Sequence, residues 1–277
     1  MTEDSRQHAL DVLGIRRWVR RGTDETVHEA EAVLSSTATA PAGRAEPEIV
    51  QRTAVKASAP GTPPTPASDA SPQPREDNWQ PPVDWDALRA AVAECQRCGL
   101  CQTRHHAVFG IGPRNAPLMV IGEGPGAEED KQGEPFVGRA GKLLDQMLKA
   151  IGHSRNDNVF IANVVKCRPP ANRDPRPDEV AACRPYLDRQ IELIKPRLIV
   201  GLGRVAAHRL LDTQLPMSKL RGSLHHYGAQ ATPVMLTYHP AYLLRSPREK
   251  AKAWEDLKAI AGFLAKTLPP ELDTAAS

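Results

Sequence analysis

Gly122-Glu-Gly-Pro-Gly-Ala-Glu-Glu-Asp-Lys-Gln-Gly-Glu-Pro-Phe-Val-Gly138 is the stretch around which the chain is organised. An apolar run, Leu118-Met-Val-Ile121, precedes it and suits a buried strand. After it, Leu143, Leu144, Met147, Leu148 and Ile151 recur at helical spacing. The segment therefore reads as strand, long loop and helix. A loop that only connected would be shorter and would not need five glycines and five acids. In open α/β sheets, ligands bind where such loops leave the carboxyl ends of the strands, so the chemistry is expected here.

Working outward, a helix is expected over 84–97, with Leu88, Val92 and Cys95 on one face. Strands are expected at 117–122, 159–165, 197–201 and 233–238, with a short one near 223–227. Helices are expected at 139–151, 177–194, 204–212 and 248–267. Pro177 with Asp178 and Glu179 marks the start of the helix at 177. Strands alternating with helices imply a parallel sheet covered on both faces. Gly201-Leu-Gly203-Arg-Val-Ala206 follows a strand and opens a helix, as a dinucleotide fingerprint would. The acidic residue that would hold a ribose about twenty positions on is missing, since the chain there reads Arg221-Gly-Ser-Leu-His-His. Tight strand-to-helix packing is the better account of these glycines.

Composition divides the chain. Residues 1–77 carry 9 Lys/Arg against 12 Asp/Glu, and the remaining residues carry 27 against 21. The part able to fold is thus the basic part, which favours a polyanionic partner. Residues 26–82 are rich in Ala, Pro, Thr, Ser and Glu and poor in large apolar side chains, the composition of a disordered linker. Residues 83–268 are expected to form one domain and 269–277 a short tail. Ahead of the linker, 1–25 contains an amphipathic island: Leu10, Leu13, Ile15 and Trp18 beside Arg16, Arg17, Arg20 and Arg21. It reads either as a frayed helix or as a docking peptide that folds on a partner. No apolar stretch is long enough to span a bilayer and no signal-peptide core begins the chain, so a cytoplasmic protein is expected.

Five cysteines, an odd number, fall between Cys95 and Cys183. In a reducing compartment such clustering suggests a metal site more than disulfides. Cys95 and Cys98 form C-x-x-C, and Cys167 and Cys183 would close the site from across the fold. Cys101 reads as a small buried hydrophobe. Four thiolates suit zinc or a [4Fe-4S] cluster, and spacing does not choose between them.

Gly122-Glu-Gly-Pro-Gly126, Pro135-Phe-Val-Gly138, Asn163 ahead of Lys166-Cys-Arg-Pro-Pro170, and His239-Pro-Ala-Tyr-Leu-Leu-Arg245, together with the cysteine pattern, resemble the family 4 uracil-DNA glycosylases. The match runs over roughly residues 90–262. The resemblance implies one three-layer α/β/α domain with a mainly parallel, four-stranded sheet. It implies a [4Fe-4S] cluster on Cys95, Cys98, Cys167 and Cys183. It also implies a monofunctional hydrolase that removes uracil from DNA to start base excision repair, working as a nucleoid-associated monomer.

The chemistry gives each residue a part. A uracil must leave the duplex before its glycosidic bond can be reached. Phe136 is expected to stack on it, with Gly124 at the pocket wall. Asn163 is expected to read O4 and N3–H, a pairing that disfavours cytosine. His239, neutral or protonated, and loop N–H groups would stabilise charge on O2. Better-known uracil glycosylases carry an Asp at the position of Gly124, which leaves water handling open between Glu123, Glu129 and Asn172. Leu243 is expected as a wedge, with Arg245, Lys166, Arg168, Asn172, Arg173 and Arg248 toward the DNA. A related branch links covalently to DNA through an Arg-rich insertion that is missing between Asp130 and Gly138, so turnover is expected. The island at 8–21 is similar to the N-terminal peptide of a clamp-loader accessory subunit, which suggests a replisome partner. Two rivals stand beside this reading: an iron–sulfur DNA-binding protein without glycosylase activity, and a zinc-containing nucleotide-binding enzyme.

Overall fold

The structure, a computed structural model, describes residues 79–267. The docking peptide expected at 1–25, most of the linker at 26–82 and the tail at 269–277 lie outside the described residues.

Helix α1 (Trp85–Ala93) is capped by Asp84, whose side chain accepts hydrogen bonds from the amides of Asp86 and Ala87. It ends short of the expected Arg97, because the chain turns at once into the cysteine segment. Strand β1 (Leu118–Gly122) leads into a short helix, α2 (Ala127–Gln132), within the stretch expected to be loop. Helix α3 (Arg139–Lys149), strand β2 (Val159–Asn163), helix α4 (Pro177–Ile194), strand β3 (Leu198–Leu202) and helix α5 (Gly203–Leu211) follow. A turn of helix, α6 (Met217–Leu220), precedes strands β4 (His225–Tyr227) and β5 (Thr232–Thr237). Helices α7 (Pro240–Arg245) and α8 (Lys250–Thr267) close the domain.

The sheet has five strands in the order β2-β1-β3-β5-β4, against the four that the resemblance implied. The extra strand is β4, which pairs antiparallel with β5; the other pairings are parallel. Alternation along the strands sorts side chains between two cores. Met119, Ile121, Phe160 and Ile199 face α1, α4 and α5, whereas Leu118, Val120, Ile161 and Val200 face α3 and α8. Burial on both faces explains why β1 and β3 read as continuous apolar runs. The chain runs from β1 outward to β2 and returns to β3 on β1's other side, so the loops after β1 and β3 diverge at a topological switch point.

Gly201 and Gly203 behave as close-packing residues. A Cβ on Gly201 would meet Leu236 at 2.6 Å, and Gly203, at φ +81°, would meet the Cβ of His239 at 2.9 Å. The second contact seats His239 against the start of α5.

Candidate active site

The carboxyl ends of β1, β2 and β5 border a cavity of about 390 Å³, with Glu123, Phe136, Asn163, Asp174, His239 and Arg245 in its wall. A larger cleft, about 710 Å³, runs along β4 beside Asp188 and Tyr227. The smaller one is assigned as the site because it alone joins the switch point to an unpartnered buried polar atom. That atom is Oδ1 of Asn163, which has no hydrogen-bond partner among the described residues. Its residue is 1 % exposed. Leaving such an acceptor unpaired costs about 1–3 kcal/mol, so its partner is expected from outside the chain.

Phe136 stands in the left-handed region at φ +56°, unusual for a bulky residue. The strain is held by its surroundings. Arg155 donates to the carbonyls of Pro135 and Phe136, both at 2.9 Å, and is fixed in turn by Asp145. Gly141 has no side chain to strike the Phe136 carbonyl, which would lie 1.8 Å from a Cβ. Gly122 lies beneath both side chains: a Cβ there would stand 2.5 Å from Asn163 Oδ1 and 2.6 Å from the Phe136 ring. Gly122→Ala is therefore expected to leave the fold intact and lower kcat/KM for base release about 10²-fold, the scale of an ångström's misplacement. Circular dichroism and single-turnover kinetics would check it.

The Phe136 and His239 rings lie 5.5 Å apart, tilted by 32°. Burial, with the Arg245 charge adding to it, pushes the His239 pKa down to about 4, and Glu129 only partly opposes this. Of the two forms left open by the sequence, the neutral imidazole is the one present at neutral pH. Its Nδ1 accepts from the Ala241 amide at 3.2 Å, which places the hydrogen on Nε2 as a donor.

Glu129 corrects an expectation. Its Oε1 accepts from the amides of Val137 and Gly138, and its Oε2 from Gly126. With both oxygens engaged by backbone, it ties the two halves of the loop together and is not placed to handle water. Burial and the neighbouring Asp174 push the Glu123 pKa up to about 7, with Arg204 opposing. Gly124 has no room for an Asp, since a Cβ would meet Val165 at 2.8 Å.

Two DNA-facing expectations also change. Lys166 is fully buried, donating to the Asn163 carbonyl at 3.0 Å and to Gln190 Oε1 at 2.6 Å. It braces the end of β2 and cannot reach a phosphate, and its burial lowers its pKa to about 8. Leu243 is wholly buried among the side chains between α3 and α8. Exposing it would forfeit about 2 kcal/mol of apolar burial, so the outward residues Tyr242 and Leu244 take its place as wedge candidates. Arg168 donates to Asn172 Oδ1 at 2.8 Å, and Arg173 is held by a two-pronged bond to Glu179. Arg245 and Arg248 are exposed.

Cys95, Cys98, Cys101, Cys167 and Cys183 line one small cavity, and none forms a disulfide. Burial pushes Cys98 up to about 11 and Cys183 up to about 12, so as free thiols they are neutral. Cations wait beside them. Arg104, which the sequence reading missed, donates to Cys167 Sγ at 2.8 Å and to the carbonyls of Ala93 and Cys95. The Lys166 amide donates to Cys183 Sγ at 3.3 Å. Among the described residues, no group of three or more His, Cys, Asp or Glu side chains stands ready to hold a single ion. The thiols instead surround a cavity, an arrangement that fits a bulky anionic cluster bridged by positive neighbours. Asp130, also missed, joins this region to the active-site loop: its carboxylate accepts from the His105 amide and faces His105 Nδ1 at 2.7 Å.

A switch-point pocket with an aromatic wall and a buried, unpaired amide oxygen is the equipment of a uracil-DNA glycosylase domain, and residues 109–258 match the family model described as the uracil DNA glycosylase superfamily. A type-4 uracil-DNA glycosylase of Sulfurisphaera tokodaii is 46 % identical over 181 residues, 63 % of this chain and 82 % of that protein. Those of Archaeoglobus fulgidus and Saccharolobus solfataricus are 41 % and 43 % identical, covering 68 % and 63 % of this chain and 97 % and 84 % of theirs. The chain belongs to the type-4 branch of this family.

Proposed function

We propose that the protein takes uracil out of DNA by hydrolysing its N-glycosidic bond, leaving an abasic site for repair. The unpaired Oδ1 of Asn163 carries the reading. An acceptor buried beside an aromatic ring is complementary to the N3–H of an extruded uracil, while the amide's NH₂ suits O4. Cytosine offers an acceptor at N3 and a donor at N4, and would set like against like.

With uracil stacked on Phe136, the Nε2–H of His239 is the donor for O2, where negative charge collects as the base leaves. A buried neutral donor stabilises that charge without having to lose a proton. Glu129 keeps the loop amides aimed, and Glu123 takes the proton of the attacking water. Tyr242 or Leu244 fills the gap left by the base, and Arg245 meets a phosphate. Cys95, Cys98, Cys167 and Cys183 would hold a [4Fe-4S] cluster, which when bound supplies a cross-link between the 95–101 turn and the 167–183 segment. Through residues 8–21 the chain would dock on a replisome protein; a pull-down with residues 1–25 that recovers no replication protein overturns that part.

The test is release of uracil from labelled oligonucleotides carrying U·G, U·A or single-stranded U, against an undamaged control. Release from the first three and not the last is expected. No release by intact, brown protein would leave DNA binding alone. Arg245→Ala is expected to weaken DNA binding evenly across sequences and to reduce the slope of log K against log salt by about one, read by fluorescence anisotropy.

A further inference from the structure

Glu123 is not alone at the mouth of the pocket. It follows the last residue of β1, and its carbonyl accepts from the Val165 amide at 3.2 Å, so its backbone is fixed to the chain leaving β2. Across the cavity the chain turns sharply through Ala171 and Asn172, at φ +54° and +53°, and brings Asp174 back into the same wall. The Asp174 carboxylate pairs with the guanidinium of Arg204, in the first turn of α5. That helix begins at Gly203, which packs on His239. Asp174 and Arg204 thus join the wall bearing Glu123 to the wall bearing His239.

We infer that Asp174, held by Arg204, is a positioning residue for Glu123: it hydrogen-bonds the Glu123 carboxyl and governs when that group is free to accept a proton from the attacking water. The inference rests on the reading of this cavity as the uracil pocket. Two carboxyl groups within hydrogen-bonding reach, one of them paired with a guanidinium, favour a state in which the pair holds one proton near neutrality. The Asp174–Arg204 pair is 59 % and 56 % exposed, so it contributes little to stability. Its placement acts on the neighbour it touches. The other charged groups round the cavity are otherwise committed: Glu129 to three amides, Arg173 to Glu179, and Arg245 at the rim beside a neutral His239.

The chemistry balances. The C1′–N1 bond breaks with its electron pair leaving on uracil, water oxygen bonds C1′, and the water proton passes to the Glu123 carboxylate. Glu123 must then be ionised at the start, so kcat/KM should rise with pH through its pKa, near 7 in the intact protein.

The experiment is the pH profile of kcat/KM on a single-stranded uracil oligonucleotide for the unaltered protein, Asp174→Asn and Arg204→Gln. Removing the neighbouring negative charge should move the acid limb of Asp174→Asn down by about one pH unit, giving roughly tenfold more of its plateau activity on the limb. Removing the opposing cation should move the limb of Arg204→Gln up. Profiles that coincide with the unaltered one, or that shift in the same direction, overturn the inference while leaving the pocket reading intact. No uracil release by the unaltered protein at any pH overturns both.

Discussion

Asn163→Ala is expected to lower kcat/KM for uracil release about 10³-fold or more, with thermal stability held within about 1 kcal/mol of the parent. The reasoning joins two observations. The side chain sits in a buried site with its acceptor unpaired, so the folded protein gains nothing from that oxygen and loses little when it goes. Bound uracil, by contrast, loses the partners for its N3–H and O4. Sites that read a polar edge in this way reject a mismatched partner by about 10⁴-fold. The same variant should lose discrimination along with rate, so its residual activity on uracil and cytosine should lie closer together than in the parent. Single-turnover release of each base checks both points. A variant that excises uracil at near-parental rate would mean that recognition lies elsewhere in the wall.

Much of the sheet was legible because burial on both faces leaves a simple trace. Leu118-Met-Val-Ile121 and Leu198-Ile-Val200 admit little but buried strand, and α4 announced both its start and its length. The short edge strand expected near 223–227 is present as β4, but its antiparallel direction left no trace in the sequence. Strand β4 has three residues, and its pairing is set by the turn through Gly228 and Ala231, both at positive φ, more than by its own pattern. Short helices were also missed, and with one of them a site residue. In His239-Pro-Ala-Tyr-Leu-Leu-Arg245 the sequence reading expects Leu243 as the wedge without assigning a helix, yet Pro240 at the first helical position starts α7. Helical spacing then buries Leu243 with Pro240 and turns Leu244 outward.

The candidate site was legible to the extent that three residues named from the sequence come together. Phe136, Asn163 and His239 all fall in one wall. The residues that hold them were hidden, because their partners are distant in the chain and follow no period. Arg155 holds Phe136 from nineteen residues away, and Arg104 reaches Cys167 across sixty-three. A basic residue beside a cysteine reads as a DNA contact when met alone. Only the fold reveals that Lys166 points inward to Asn163 and Gln190.

That inward lysine sets the scale of the last prediction, loss of the proposed [4Fe-4S] cluster through Cys183→Ser. Cys183 lies on α4, and its sulfur accepts from the amide of Lys166. The lysine's ammonium in turn holds the carbonyl of Asn163. With no cluster, the cavity between the five cysteines would be left lined by neutral thiols and facing Arg104, a cation that has lost its anion. Burying unpaired charge is among the few changes that destabilise a protein by more than about 3 kcal/mol. Cys183→Ser should therefore purify colourless and low in iron, unfold at least several degrees lower, and lose activity as the brace under Asn163 loosens. Cys101→Ser should remain brown, stable and active, since that residue is left outside the proposed ligand set. Iron content and thermal melts of the two variants decide the matter: a colourless Cys101→Ser beside a brown Cys183→Ser would exchange their roles. Zinc in place of iron in the parent would retain the cross-link and replace the cluster.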